Sequence, residues 1–246
     1  MGPQVTDTVS GTCDARFVGV REVFAHSLAS GREVGAAVCV YSDGQPVVDL
    51  WGGMADPGTG RVWARDTIVS TFSVSKGVVS TMAHILIDRG ELDPDAPVSR
   101  YWPEFAAGGK EGTLVSMTLD HSAGVPHLRE PVRAGGFYDY DYMDERVADE
   151  PAFWPPGTRI GYHGFTMAWT VGEVIHRAAK ERLGAFFQEK IAGPLGLEFW
   201  IGLPAAFESR VAPMIQAEPD EPWMATRFIQ AALNEPESTT FYFMRD

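Results

Sequence analysis

Hydrophobic spacing divides the chain into a short β-rich opening and a long helical stretch. From Ala15 to Ala29 the apolar residues Phe17, Val18, Val20, Val23, Phe24 and Leu28 recur at helical intervals, and Gly31 follows where a helix would stop. Two strand-like runs come next, VGAAVCVY (34–41) and PVVDLWGG (46–53). Between them Ser42-Asp43-Gly44-Gln45 signals a hairpin, because Asp-Gly suits the positive φ of a tight turn. The run TFSVSKGVVSTMAHILIDRG (71–90) is apolar almost continuously from Val78 to Ile87 and predicts a buried helix with Gly90 past its end. Further helices are predicted over Val115–His121, within the charged DYDYMDERVADE (139–150), over Thr166–Lys180 and over Leu183–Ala192. The remaining strand signals are FWIGL (199–203) and TTFYFM (239–244). A lone hairpin is marginally stable without more strands or a covering helix. The protein is therefore either mostly helical or carries a sheet that is incomplete in this chain.

Size and charge narrow the picture. At 246 residues the chain buries a substantial core, as one large domain or two lobes. It is read as a single domain over residues 1–246, with a helix plus hairpin at 15–53 and a mainly helical region at 70–200. A formal charge of −13 disfavours nucleic acid or an anionic membrane surface as partner, since phosphates would be repelled. The opening MGPQVTDTVSGTCDAR has neither the basic nor the apolar segment of a secretory signal, and no apolar run approaches membrane-spanning length. Gly2 and Thr6 satisfy the bare myristoylation pattern, which is read as a chance match. Cys13 and Cys39 fit no metal or redox spacing, and Cys39, inside a strand pattern, is expected to be a buried thiol. The expectation is a cytoplasmic protein.

The polar residues SVSK in the first turn of the 71–90 helix carry the candidate chemistry. Ser73 and Lys76, three positions apart, lie about 60° apart around a helix axis, close enough for the amine to meet the hydroxyl. A helix N-terminus also offers free N–H groups and a positive dipole end to a developing oxyanion. A serine needs a base or a lowered pKa to attack a carbonyl, and lysine, unlike arginine, can lose its proton. The chain holds 16 arginines and four lysines, so a lysine here is not its default cation. Set against this, serines cap helices routinely, and a chance S-x-x-K is common enough that the motif alone does not decide. Ser75 points to the other side of the helix and Ser80 lies beyond the reach of the dipole, which leaves Ser73 as the better candidate. A second piece, PPGTRIGYHGFTMAWTVGEVIHRAAK (155–180), places Tyr162 just before a helix. A phenol there serves either as a base beside a cation or as a core anchor with a bonded hydroxyl.

Taken in order, TFSVSKGV, LDPDAPVSRYWPEF, MTLDHSAGVPHL, PGTRIGYHGFTMAWTVGEVI and IAGPLGLEFWIGLP resemble the serine β-lactamase-related family. The resemblance is nearest to class C β-lactamases and family VIII carboxylesterases and runs from about Phe17 to Met214. It implies an α+β, β-lactamase/transpeptidase-like fold, a helical lobe beside an antiparallel sheet that is incomplete in this chain. It implies Ser73 as the acylated nucleophile, Lys76 as its S-x-x-K partner and Tyr162 as the opening of a Tyr-x-Asn motif. His121 and Gly124 match the family's structural H-[TS]-x-G turn, and a metal site at His121, His127 and His163 has no ligand spacing behind it. No metal or cofactor is expected, and the expected partner is a small-molecule ester. Two departures stand out. Gly164 occupies the position of the family's Asn, a holder of the substrate amide, which favours an ester over a lactam. After Tyr162 no Lys- or His-x-Gly motif follows, so the chain reads as truncated or divergent at its C-terminal side. The chain lacks S-D-N and K-T-G, against a class A pattern, and G-x-S-x-G, against an α/β-hydrolase. The expected activity is hydrolysis of small acyl esters through acyl-Ser73. The alternatives are acyl transfer from the same intermediate, or a non-catalytic truncated relative.

Overall fold

A computed structural model describes residues 9–216, 221–236 and 238–245. The Gly2/Thr6 pattern lies outside them. The described residues group into two compact units, one of residues 9–70 with 203–216 and the other of 71–202 with 221–245.

The first unit is built on a small antiparallel sheet. Strand β1 (Val9–Cys13) precedes helix α1 (Val18–Ala29), and β2 (Gly35–Ser42), β3 (Gln45–Asp56) and β4 (Arg61–Val62) follow. The order is β1-β3-β2, with β4 also paired to β3. The β2–β3 hairpin closes as its sequence predicts, since Asp43 and Gly44 both take positive φ, 51° and 73°. Pro46 has no N–H for the ladder, and beside it Val40 pairs with Val48 while Tyr41 pairs with Pro46, so Val47 is the extra residue of a bulge. Val48 and Leu50 are fully buried, and Phe17, Val20 and Phe24 from the α1 region pack on them with Val38 and Val40. Alternation along β2 turns Cys39 to the other face, where it is exposed. The buried thiol expected from the strand pattern is thereby corrected. The helix expected over 15–29 is split, with a 3₁₀ turn at Ala15–Phe17 capped by Asp14 preceding α1.

The second unit is helical. Its elements are α2 (Val74–Asp88), α3 (Val115–Leu119), α4 (Tyr140–Asp149), α5 (Met167–Ala179), α6 (Leu183–Phe187), α7 (Gly193–Leu195), α8 (Glu221–Met224), α9 (Arg227–Asn234) and α10 (Thr239–Arg245). A π-helical turn, Gln188–Ala192, joins α6 to α7. The core sets Met82, Ala83 and Leu86 of α2 with Val174 and Ile175 of α5, Met143 and Val147 of α4, Phe186 and Phe187 of α6, and Trp102 and Phe105. Burying a side chain of this size contributes roughly 1.5–3 kcal/mol each, so this cluster fixes α2 and α5 as the frame of the unit. Two charges inside it are compensated. Lys110 Nζ donates to the carbonyls of Ala148 and Glu150 at the end of α4, and Glu173 accepts from Arg177, Tyr140 and His176.

Two strand expectations fail. Residues 199–203 form no strand, and TTFYFM lies in helix α10. A short β-branched and aromatic run does not separate strand from helix by itself, and here Ser238 Oγ accepts the N–H of Phe241, capping the helix start. Among the described residues no helix is long and apolar enough to cross a membrane.

Candidate active site

Ser73 stands at the N-terminus of α2, immediately before Val74. The residue ahead of it, Phe72, adopts φ +46° with its side chain largely exposed. A bulky residue in the left-handed region is strained by roughly 1–3 kcal/mol, the kind of cost that collects at functional turns. Tight backbone bonds wind the entry: Val74 N–H donates to Thr71 O at 3.2 Å, Ser75 N–H to Phe72 O at 3.1 Å and Lys76 N–H to Ser73 O at 3.1 Å. Downstream, the apolar residues of α2 lock into the core, so the first turn projects Ser73 from a rigid element.

The other side of the site comes from residues 155–166, clamped onto 121–127 by a set of hydrogen bonds. Gly161 N–H donates to His121 O at 3.1 Å, Gly157 N–H to Ser122 O at 3.0 Å and Thr166 Oγ1 to Val125 O at 2.6 Å. Gly124 takes φ +85°, and a Cβ on it would lie 2.6 Å from Trp154 O, so the turn of HSAG requires glycine there. His163 is fully buried at the centre of the clamp. Its Nε2 accepts the Val125 N–H at 3.1 Å, its Nδ1 faces Gly161 O at 2.6 Å, and its own N–H donates to His121 Nδ1 at 3.1 Å. With Nε2 accepting, the proton sits on Nδ1 and donates to Gly161 O. Burial pushes the His163 pKa down to about 4, keeping the imidazole neutral. His121 is likewise held low, by burial first and then by the charge of Lys76. Both histidines act here as hydrogen-bonding scaffold.

These two frames bring Ser73, Lys76 and Tyr162 together. Ser73 Oγ and the Tyr162 phenol oxygen are 2.5 Å apart, and Lys76 Nζ donates to Ser73 Oγ at 3.2 Å and to Gly164 O at 2.6 Å. Lys76 Nζ also lies 4.8 Å from the centre of the Tyr162 ring, and the His121 ring packs on that same phenol at 5.1 Å. With Lys76 donating to Oγ, the serine proton is free to point at the phenol oxygen. Burial opposes ionisation of Tyr162, but the hydrogen bond from Ser73 and the bond and charge of Lys76 outweigh it, so its pKa falls below that of a free phenol. The arrangement is a hydroxyl, a phenol with lowered pKa and a lysine amine held by two hydrogen bonds, placed at a helix N-terminus. Neither Phe72's backbone nor the carbonyl of Gly164 was marked by the sequence. The first follows from the tight turn before Ser73, and the second is backbone chemistry that any residue supplies.

Comparisons with known proteins identify the family and the fold. A family profile described as Beta-lactamase matches residues 20–234. The chain is 36% identical over 222 residues to "Esterase/beta-lactamase LipL" of Mycobacterium tuberculosis, covering 88% of this chain and 51% of that one. It is 30% identical to "Esterase EstB" of Burkholderia gladioli, covering 87% of this chain and 59% of that protein. Among solved structures, a family VIII carboxylesterase superposes with a TM-score of 0.79 at 41% identity, over 85% of this chain and 57% of that one. A penicillin-binding protein homologue from Caulobacter crescentus superposes with a TM-score of 0.82 at 34% identity, over 93% and 62%. The chain thus spans about half to three-fifths of the length of these relatives.

Proposed function

The chain belongs to the beta-lactamase family and has its mixed helix and antiparallel-sheet fold, and from this we infer that it is a serine hydrolase of small acyl esters working through an acyl-Ser73 intermediate. The observation that carries the reading is the contact of Ser73 Oγ with both Tyr162 and Lys76.

In the acylation step, Ser73 Oγ attacks the ester carbonyl carbon while Tyr162, as phenolate, takes the Oγ proton. Lys76 stays in place as a donor, favouring the phenolate and steadying the negative charge that passes between the two oxygens. The oxyanion forms beside the backbone N–H of Ser73 at the start of α2, where the helix dipole is positive. Collapse of the tetrahedral adduct breaks the bond to the alkoxide, which receives the proton from Tyr162 and departs as the alcohol. Water then attacks acyl-Ser73 while Tyr162 takes its proton, and as the acid leaves Tyr162 passes that proton to Ser73 Oγ, restoring the hydroxyl and the phenolate. An ester is favoured over a lactam because Gly164 has no side chain to hold a substrate amide. Two curated relatives, named "Esterase/beta-lactamase LipL" and "Esterase EstB", support hydrolysis of esters as the activity class.

A fluorophosphonate probe tests the reading directly. The expected result is one covalent adduct mapped to Ser73 and turnover of p-nitrophenyl acetate that disappears in Ser73→Ala. An unlabelled Ser73 together with no ester turnover would overturn it.

A further inference from the structure

Against Tyr162 lies a cavity of about 180 Å³. It is lined by Tyr162 and Gly161, by Pro126 and His127, and by Phe228 of α9 and Thr240 of α10. Two aromatic rings, a proline ring and glycine backbone make most of that wall carbon, which suits an uncharged, largely apolar group. A water molecule's share of liquid volume is about 30 Å³, so the cavity holds on the order of six groups of that size.

The proton path says which part of an ester enters it. Tyr162 receives the Ser73 proton and must hand it to the departing alkoxide, so the leaving oxygen comes within hydrogen-bond reach of the phenol. The chain on that oxygen is the part of the substrate tethered beside Tyr162, whereas the acyl chain hangs from the carbon held at Ser73 Oγ. Resting on the acyl-Ser73 reading, we propose that this cavity receives the alcohol portion of the ester and that Phe228 sets the length of alcohol accepted. Phe228 is 47% exposed, so changing its size alters the cavity with little demand on the core.

The test is a matrix of esters: acetates of methyl to octyl alcohols, and methyl esters of acetic to octanoic acids, followed by acid release in the full chain. Each methylene buried in the cavity raises kcat/KM by up to about fourfold. The expected alcohol profile climbs to pentyl or hexyl acetate and falls by octyl. In Phe228→Ala its maximum moves to longer alcohols, in Phe228→Trp to shorter ones, and the acyl profile keeps its maximum in both. Ser73-dependent turnover with an alcohol profile that neither variant moves would overturn the proposal while leaving the hydrolase reading intact, as would a shift of the acyl profile instead. If no ester shows Ser73-dependent turnover, the hydrolase reading falls. Titration of Ser73→Ala with 1-hexanol by NMR then decides the cavity by itself. Saturable shifts at Phe228 and Thr240 that Phe228→Trp abolishes support it, and their absence overturns it.

Discussion

The hydroxyl of Ser73 sits 2.5 Å from the phenol oxygen of Tyr162, across 89 positions of sequence. On the acyl-Ser73 reading, a contact this short, with Lys76 Nζ donating to the same Ser73 oxygen, makes Tyr162 the group that receives the serine proton. Tyr162→Phe keeps the ring, and with it the packing on His121 and Lys76, but removes the acceptor. A loss of kcat/KM for p-nitrophenyl acetate of about 10²–10⁴-fold is expected, the usual contribution of a positioned base, with the melting temperature close to that of the parent. Steady-state kinetics and thermal unfolding check both. An activity near the parent's would remove Tyr162 from the reaction.

The cation beside the phenol sets the pH dependence. Burial raises the Tyr162 pKa, while the Ser73 bond and the bond and charge of Lys76 lower it further, for a net fall. Because the reactive form is the phenolate, kcat/KM rises with pH and levels off above a pKa lower than the ordinary phenol value of about 10. Lys76→Met removes two of the lowering causes and leaves the burial. The rising limb of the pH–rate profile then moves to higher pH, and the rate at neutral pH drops. A limb that stays in place would mean that Lys76 does not govern the phenol.

Ser73 and Lys76 were legible because one turn of one helix holds both, and the apolar register from Val78 to Ile87 fixes that helix. Tyr162 took more, since a tyrosine ahead of a helix is ordinarily an anchor, and only the ordered set of motifs singled it out. What could not be read depends on segments meeting in space. The positive φ of Phe72 and the bond from Lys76 to Gly164 O arise from how the chain is drawn into position. So does the burial of His163, which joins 121–127 to 155–166. Strand β1 was missed for a similar reason. VSGTC is short and offers only Val9 and Cys13, either side of Gly11, as apolar positions, and it is held as a strand by its pairing with β3, from Val9 opposite Gly52 to Cys13 opposite Val48. TTFYFM was misread because β propensity in a short run yields to a cap at Ser238.

His163 makes the clamp sensitive to acid. Its folded pKa is about 4 against an ordinary 6.5, because burial disfavours the charged ring. Between those values the unfolded chain binds more protons than the folded one, so stability contributed by this group is present above pH 6.5 and is lost as pH falls toward 4. The loss between pH 7 and pH 5 is roughly 2 kcal/mol. Urea unfolding at the two pH values measures it, and His163→Asn, which has no proton to gain, should flatten this part of the dependence. Nitrogen NMR should find the imidazole still neutral at pH 5, and a protonated ring there would refute the account.

Packing behind the base offers a test of positioning that leaves every reacting group in place. A Cβ on Gly161 would lie 2.4 Å from Cη2 and 3.0 Å from Cζ2 of Trp154. Trp154 is buried and meets the His163 ring edge-on, with centroids 6.3 Å apart, so it has little freedom to retreat. In Gly161→Ala the strain falls instead on the backbone that carries Tyr162. Overpacking of this kind costs about 1–3 kcal/mol of stability, and a displacement of the base by about 1 Å costs roughly 10²-fold in rate. Gly161→Ala should therefore lose kcat on p-nitrophenyl acetate far beyond what its melting temperature suggests. Trp154→Phe in the same chain removes the two ring carbons closest to the new methyl and should restore most of the rate. If the double variant stays as slow as Gly161→Ala, the contact between Gly161 and Trp154 is not what holds Tyr162 against Ser73.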